Sequence, residues 1–503
     1  MPSESEMIWA TGEAYFIHPR DCNRRSFHKS LAAFRIVSLT TGFLMFLFMA
    51  VGNAAQRSDG RKNPPSRACS MGPLEVDSSN RRYFADGCGK AIFLTGSHTH
   101  LSFKDGGGRA PGSTSLDYES YLDLMEANGH NFMRMWSGWE LTIFEQQPWE
   151  RTGPGTARDG KPKFDLTRLD EAYFDRLRAR VIAARDRNIY VSVMLFEGWL
   201  LRFVPASAGQ HPFTPANNIN GIDADTNRDG TIIEAHSLDD PAVTAIQEAY
   251  VRKVIDALND LDNVLYEIAN ESLFPASVKW QYHMIDFIKR YEATKPKQHP
   301  VGITSAGFSS SYDDLAELLN SPADWISPGR PLSLAYDYLE NPPPADGDKV
   351  IISDSDHLAR ELKDASWIWK SLTRGLNPIF MDAYPPLDTL ATGDVTLIRK
   401  NMGYARAYAE KTDLASMAPR PELSSTKYVL ANPGGEYLIF QPDSGPITVN
   451  LQKGQYRYEW FNPRTGLASD KASLGASSGN ITLSPPFSGS AVLFIQSADS
   501  SSR

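Results

Sequence analysis

Short apolar runs alternate with amphipathic segments from about Tyr83 to Ala415. Such alternation of strands and helices is typical of a parallel α/β architecture, and eight repeats predict a (β/α)8 TIM barrel. A doubly wound open sheet is the structural alternative, but no glycine-rich phosphate loop follows the first run. The predicted strands are Ala91–Gly96, Phe132–Trp136, Ile189–Phe196, Val264–Ala269, Pro300–Thr304, Trp325–Ser327, Val350–Ser353 and Pro378–Met381.

Segments between these runs have the spacing of helices that bury one face. Apolar side chains recur at i, i+3, i+4 and i+7 within Tyr118–Met125. A second helix is predicted to begin after Asp240, where Pro241 suits the first helical turn. A third covers Glu171–Arg187.

The pattern changes after about Pro419, where no helical period continues. Alternating segments separated by turns, such as Asn432–Gly435 and Asn462–Gly466, predict a small all-β sandwich. We therefore expect a barrel domain over residues 70–417 and a β-sandwich domain over residues 418–497. The predicted sandwich strands are Tyr428–Leu430, Glu436–Phe440, Ile447–Leu451, Tyr456–Phe461, Ile481–Leu483 and Ala491–Ile495.

The first 57 residues have the pattern of an export signal. A basic segment that includes Arg24 and Arg35 precedes the uncharged, largely apolar stretch Ile36–Ala55, which ends in small residues. This order is typical of a secretory signal peptide, and the apolar stretch is also long enough for an uncleaved N-terminal membrane anchor. Both alternatives place the rest of the chain outside the cytoplasm, as a secreted, periplasmic or extracellular protein.

The composition argues against nucleic acid as a partner and against a zinc site. The 503 residues carry a formal net charge of -9, which argues against a nucleic-acid binder because that function needs clustered Lys and Arg. Cys22 lies before the apolar stretch, so Cys69 and Cys88 remain as either a disulfide or two thiols. No Cys/His cluster indicates zinc.

Carboxylates follow two of the predicted barrel strands. Asn270 and Glu271 end the fourth strand, and Asp354 and Asp356 follow the seventh. Because the C-terminal ends of barrel strands meet at one mouth, we expect these acids to face each other across a shared opening. Two carboxylates so placed can flank a single bond.

The Asn270-Glu271 pair resembles the acid/base motif of the retaining glycoside hydrolases of clan A, and Arg134 resembles the clan's strand-two arginine. The segment Asp86–Leu94 extends the likeness at the start of the barrel. In overall look the chain is most similar to apiosidase-like hydrolases, whose barrel precedes a β-sandwich named a collagen-binding domain. The segments that resemble this sandwich are Ala431–Leu438, Trp460–Gly466 and Pro486–Gly489.

The resemblance implies a double-displacement mechanism without a required cofactor. Glu271 would be the acid/base, Asn270 would bind the sugar 2-hydroxyl, and Arg134 would keep the nucleophile ionised. The clan usually has Glu on strand seven, whereas this chain offers Asp354, the preferred nucleophile here, or Asp356. Because Asp is one methylene shorter than Glu, either its backbone lies closer to the sugar, or the distance between the two carboxyl groups increases toward that of an inverting enzyme.

Other side chains after strand ends are expected to line the mouth, although some can be scaffold or rim residues instead. Asp356 and His357 could alternatively form a pair that caps the following helix. The substrate-binding candidates besides Arg134 and Asn270 are His98, His100, Trp136, Trp139, Glu140, Glu197, Trp199, His357, Asp382 and Tyr384.

An Asp- and Asn-rich segment in the long insertion after strand three begins like a calcium loop. Asp225, Asn227, Asp229 and Thr231 supply oxygens at alternate positions, and Glu234 would replace the Glu usually found at position twelve. The alternatives are a structural Ca²⁺ and a turn without metal.

The sequence therefore predicts a secreted retaining glycoside hydrolase that acts on a plant or microbial oligo- or polysaccharide or its side chains. A first alternative is a carbohydrate-binding or surface-interaction protein on a degenerate hydrolase barrel. A second is a lyase or esterase acting on uronic or acylated sugars, but no G-x-S-x-G motif is present. The identity of the sugar and the oligomeric state do not follow from the sequence.

Overall fold

A computed structural model describes residues 72–103, 116–137, 139–140, 146–203, 209–307, 313–329, 341–342, 344–358, 364–382 and 394–498. The predicted export signal and the candidates Cys69 and Tyr384 lie outside these ranges. Cys88 is disulfide-bonded, but the described residues do not test its pairing with Cys69. Within the described ranges, no helix combines the length and the apolar character needed to cross a bilayer.

Eight parallel strands form the barrel. They are β1 (Gly96–His98), β2 (Phe132–Trp136), β3 (Tyr190–Glu197), β4 (Val264–Asn270), β5 (Val301–Thr304), β6 (Trp325–Ser327), β7 (Val350–Asp354) and β8 (Asn377–Met381). The sheet order is β1-β8-β7-β6-β5-β4-β3-β2. At the closure between β1 and β2, the backbone N–H of Asn131 donates to Thr95 O at 3.0 Å. This arrangement confirms the predicted TIM barrel.

Helices cover the outside of the barrel, and several begin at a capping aspartate. The side chains of Asp117, Asp170, Asp240 and Asp394 each accept a hydrogen bond from a backbone N–H in the first turn, which satisfies donors that the helix itself leaves unpaired. The helices are α1 (Tyr118–Ala127), α2 (Glu171–Arg185), α3 (Trp199–Phe203), α4 (Pro241–Leu258), α5 (Val278–Glu292), α6 (Leu315–Asn320), α7 (Ser355–Leu358), α8 (Ser366–Thr373) and α9 (Val395–Lys411).

Large apolar side chains fill the lower part of the barrel interior. They include Leu94, Phe132, Leu265, Trp325 and Ile352, all almost fully buried. A Cβ atom at position 302 would lie 1.9 Å from the Trp325 ring, so only glycine fits beside the indole. Because this core closes the barrel from below, charged side chains on the same strands gather at the C-terminal mouth.

The prediction for the first barrel strand was wrong in its position. Ala91–Ile92 instead pairs with Phe84–Ala85 in a three-stranded antiparallel sheet that also contains Glu75–Val76. The barrel strand begins only at Gly96, where a Cβ atom would lie 2.1 Å from Phe132 O. The apolar run therefore contributes to two sheets, and its hydrophobic pattern cannot separate them.

The strands after the barrel form two antiparallel sheets, so a β domain follows the barrel as predicted. One sheet has the order β9-β10-β11-β17-β13-β14, with β15 paired to β13, and β12 pairs with β16 in the other. A shared core lies between the two sheets. These strands are β9 (Ala418–Pro419), β10 (Val429–Asn432), β11 (Glu436–Gln441), β12 (Ile447–Leu451), β13 (Gly454–Asn462), β14 (Leu467–Ala468), β15 (Ala472–Ala476), β16 (Gly479–Leu483) and β17 (Ala491–Ser497).

The β domain packs on α8 and α9 through a second apolar core. Trp369 of α8 and Tyr408 of α9 contact Phe461, with ring centroids 5.8 and 5.1 Å apart. The indole N–H of Trp369 donates to Asn401 Oδ1, and Asn401 Nδ2 donates to Pro463 O. These contacts fix the β domain against the side of the barrel that carries β7 and β8.

Candidate active site

Arg134 lies at the centre of a buried group of polar residues at the barrel mouth. Its Nε and Nη2 atoms donate to the two carboxylate oxygens of Glu267 at 2.9 and 2.6 Å. Its Nη1 donates to Asp354 Oδ2 at 2.7 Å, and its Nη2 also donates to Asn270 Oδ1 at 2.9 Å. The guanidinium is fully buried, so these partners both neutralise it and fix its plane.

Asp354, at the end of β7, is enclosed by hydrogen-bond donors. Besides Arg134, its carboxylate accepts from His98 Nε2 and from the backbone N–H of Asp356, both at 2.9 Å. His98 Nδ1 accepts from the indole N–H of Trp136, which assigns the ring proton to Nε2. Burial raises the pKa of Asp354, but the contact with His98 and the charge of Arg134 outweigh burial and hold that pKa well below its usual value. With 0% exposure, this carboxylate has no face open to a substrate.

Asp356 lies in the first turn of α7 and is the more accessible of the two aspartates. Its side chain is 12% exposed, and its Oδ2 accepts from Arg134 Nη1 at 3.3 Å. Burial and the nearby charge of Asp354 raise the pKa of Asp356 to about 6. One oxygen of Asp356, one of Glu271 and a ring nitrogen of His357 lie within 4.8 Å of one another.

Glu271 directly follows β4 and has the left-handed backbone conformation, with φ of 43°. Its carboxyl group lies against Gly307, where a Cβ atom would be 2.5 Å from Glu271 Cδ. Its Oε2 is buried and has no hydrogen-bond partner among the described residues. Burial, followed by the charge of Asp356, raises the pKa of Glu271 well above its usual value. Glu271 is therefore suited to carry a proton at neutral pH.

Several predicted binding residues surround this acid pair. Asn270 Nδ2 donates to Glu197 Oε1 at 3.1 Å, and His357 Nδ1 lies 3.0 Å from Ser327 Oγ. Burial and the charge of Arg134 lower the pKa of His357 to about 3, so its ring is neutral at pH 7. The structure thus brings together His98, Arg134, Trp136, Glu197, Asn270, Glu271, Asp354, Asp356 and His357, while His100 lies partly buried just after β1.

Three predicted binding residues lie away from the acid pair. Two of them, Trp139 and Asp382, contact other residues outside the mouth. Trp139 is 1% exposed and packs on Trp149 in the outer core, with ring centroids 4.8 Å apart. Asp382 is paired with Arg399 on α9. Side chains alternate between the two faces of β8, and Ile379 faces the barrel interior, so Asp382 three residues later faces outward. These positions contradict a substrate contact for Trp139 and Asp382.

Glu140 is the third residue that lies away from the acid pair, whereas Trp199 is partly exposed. The Glu140 carboxylate accepts from the backbone N–H of Glu197 at 2.6 Å and faces His236, so it lies behind β3 rather than at the mouth. Trp199, the first residue of α3, is 42% exposed. Its ring centroid lies 5.7 Å from that of Phe203.

Sequence reasoning missed Glu267 as the bidentate partner of Arg134 and Gly307 as the contact of Glu271. Glu267 carried a signal, because a carboxylate inside an apolar strand requires a buried cation. Gly307 follows β5 with φ of 78° and gave no comparable signal.

A cavity of about 450 Å³ lies beside this site, between α3, the segment 233–239 and the start of α5. Arg202 lines it and separates it from Glu271, because Arg202 Nη1 donates to Glu271 O and Ala306 O. The cavity is therefore adjacent to the acid pair and distinct from it.

The predicted calcium loop brings carboxylates together. Oxygens of Asp225, Asp229 and Glu234 lie within 4.8 Å of one another, and Asn227 Nδ2 donates to Asp229 and Glu234 at 3.0 and 2.6 Å. Thr231 Oγ1 and Glu234 Oε2 are buried without a partner among the described residues. Burial and the charges of Asp229 and Asp225 raise the pKa of Glu234. Hard oxygens with excess negative charge are the donors that Ca²⁺ prefers, so these residues fit the ion.

Comparisons with known proteins agree with this fold. A domain of unknown function (DUF6298) matches residues 117–308, and no curated protein matches the chain. One similar solved structure, a glycoside hydrolase, is 12% identical with a TM-score of 0.53 and covers 85% of this chain and 97% of its own. A glycoside hydrolase family 5 protein from Bacteroides vulgatus ATCC 8482 is also 12% identical, with a TM-score of 0.54 over 86% of this chain and 94% of its own. The chain therefore has a fold found in glycoside hydrolases, a TIM barrel followed by a β domain.

Proposed function

We propose that this protein is a retaining glycoside hydrolase with Glu271 and Asp356 as its catalytic pair. The observation that carries the proposal is that one carboxyl oxygen of Glu271 lies within 4.8 Å of one of Asp356, beside a buried arginine. Retaining enzymes hold their two acids about 5 to 5.5 Å apart, whereas inverting enzymes need about 6.5 to 9.5 Å for a water molecule. Oxygens this close fit the shorter of the two spacings, so we propose retention.

The environments of the two acids suggest different roles. Glu271, kept protonated by burial, donates its proton to the glycosidic oxygen while Asp356 attacks the anomeric carbon. The leaving group departs as an alcohol, and the sugar stays bound to Asp356 as an ester. Glu271 then removes a proton from water, which attacks the anomeric carbon and releases Asp356.

Assigning the nucleophile to Asp356 revises the preference for Asp354 drawn from the sequence. Asp354 has no exposed face and already accepts hydrogen bonds from Arg134, His98 and the Asp356 backbone. Its fixed charge, with that of Glu267, instead orients Arg134 toward Asp356 and Asn270. Arg134 also supplies positive charge beside Asp356.

A glycoside panel with anomer-resolved product detection tests the proposal. We expect hydrolysis with retention of configuration, lost in Glu271→Gln with the fold intact. Binding of sugars without turnover would instead support the carbohydrate-binding alternative, and inversion would contradict the assigned nucleophile. An oligo- or polysaccharide substrate, export by the N-terminal segment and the finer likeness to apiosidase-like hydrolases belong to the same proposal.

Replacing Gly307 with alanine is expected to lower kcat/KM about 100-fold, the loss that a misplacement of about 1 Å can cause. The new Cβ atom would displace the Glu271 carboxyl group, which lies 2.5 Å from its position. Gly489→Ala is the matched control, because Gly489 also has positive φ (92°) but a Cβ atom there would meet nothing within 4 Å. Equal kcat/KM in both variants would contradict the contact.

We also propose that Asp225, Asp229 and Glu234 bind a structural Ca²⁺. Calcium at 100 times its Kd is expected to stabilise the fold by about 2.7 kcal/mol, seen as a rise in Tm after EGTA treatment and Ca²⁺ addition. Asp229→Asn should reduce this rise, while Asp443→Asn, at an exposed position in the β domain, should not. A Tm that does not respond to Ca²⁺ would exclude the site.

A further inference from the structure

The backbone at Glu271 is held in a conformation that a side chain disfavours. A non-glycine residue at φ of 43° costs about 1–2 kcal/mol, so neighbouring groups must fix it. Two side chains from the region after β3 do so. Arg202 Nη1 donates to Glu271 O at 3.0 Å, and His236 Nδ1 lies 2.8 Å from the hydroxyl of Ser272, the next residue.

His236 is itself rigidly placed. Its Nε2 lies 3.1 Å from Glu140 Oε2, and its ring stacks on Trp280 with centroids 4.2 Å apart and planes 8° from parallel. Burial raises the pKa of Glu140, but its contacts with His236 and His211 outweigh burial and bring that pKa to about 2. An ionised Glu140 needs a donor, which assigns a proton to His236 Nε2 and leaves Nδ1 as acceptor for the Ser272 hydroxyl.

Ser272, His236 and Glu140 stand in the order of a serine hydrolase triad, but their surroundings do not suit that chemistry. Ser272 is 0% exposed, and it does not line the neighbouring cavity, although His236 and Leu273 do. A substrate carbonyl therefore has no route to the Ser272 hydroxyl. The same contacts instead link the backbone of Glu271 to the buried Glu140.

We propose that His236 is a positioning residue, which acts through Ser272 to aim the Glu271 carboxyl group at the leaving-group oxygen. This inference rests on the proposed hydrolase activity. The long insertion after β3 supplies His236, so the inference gives this insertion a specific role in proton donation by Glu271. Arg202, which donates to Glu271 O, is the second support of the same backbone.

Leaving-group dependence separates this role from a general effect on the fold. A dinitrophenyl glycoside departs without protonation, whereas a methyl glycoside of the same sugar needs the proton of Glu271. We expect His236→Leu and Ser272→Ala to lower kcat/KM for the methyl glycoside by about 10- to 100-fold, a part of the ~10²–10⁴-fold that general acid catalysis contributes. The loss for the dinitrophenyl glycoside should stay below about 3-fold, since that reaction bypasses the acid.

Two further variants sharpen the experiment. His236→Asn keeps a polar atom near Ser272 and should restore part of the methyl glycoside activity. His283→Leu, on α5 where His283 contacts Glu248 of α4, should match wild type on both substrates. Equal losses on the two glycosides, or none, would overturn the positioning role. If wild type cleaves neither glycoside across a panel of sugars, the proposed function fails, and the positioning role fails with it.

Discussion

Asp356→Ala is expected to lower kcat by more than about 10⁴-fold, the order of loss that follows removal of an enzyme's nucleophile. Of the two acids after β7, Asp356 is the one with an exposed face, and one of its oxygens lies within 4.8 Å of an oxygen of Glu271. Azide should restore turnover by entering the space that the side chain leaves. The product should be a glycosyl azide of inverted configuration, because only one displacement then occurs.

Asp354→Asn is the matched comparison for this variant. It keeps the size of the side chain but weakens the contacts with Arg134 and His98. We expect a smaller loss, about 10- to 100-fold, because a positioning contact is removed rather than the attacking group. Azide should not rescue Asp354→Asn. Rescue of this variant, with Asp356→Ala still active, would return the nucleophile to Asp354.

The second large effect is expected at Glu271, where alanine should lower kcat/KM by about 10²–10⁴-fold for substrates with poor leaving groups. Substrates that need no proton should still form the sugar ester on Asp356. Azide should then give a glycosyl azide of retained configuration, the opposite product to that of Asp356→Ala. The same product from both variants would contradict the two assigned roles.

The pH profile offers an independent measurement of the same pair. Since Asp356 must be ionised, kcat/KM should fall as the pH drops below about 6, the raised pKa of that group. Since Glu271 must be protonated, kcat/KM should also fall as the pH rises through its elevated pKa. The two limbs belong to the interacting pair rather than to single residues. In Glu271→Ala the alkaline limb should disappear.

The C-terminal ends of the barrel strands were predictable from the sequence, because polar residues at the mouth directly follow each apolar run. This reasoning predicted Asn270 and Glu271 at the mouth, whereas Arg134, which donates to Asn270 Oδ1, came from the resemblance to clan A. The choice between Asp354 and Asp356 was not accessible in this way, because it depends on the first turn of α7 and on the distant His98. Positions set by contacts remote in sequence leave no local pattern.

Residues just after a strand were the least predictable. Trp139 follows β2 by three positions, yet the chain turns outward there and buries the indole on Trp149. The hairpin of Trp149–Thr156 and Pro162–Leu169 gave no clear alternation and was missed. His236 reaches Ser272 from 36 residues away, through an insertion whose path is set by packing on Trp280.

The apolar core between the barrel and the β domain extends close to the proposed nucleophile, Asp356. Leu358, two residues after Asp356, belongs to the same buried cluster as Trp369, Phe440 and Phe461. A chain shortened before Ala418 would leave that cluster facing water and would loosen the packing beneath α7. The packing of the C-terminal domain thus supports the helix that carries the proposed nucleophile. Loss of this domain should weaken catalysis even if the domain makes no contact with the sugar.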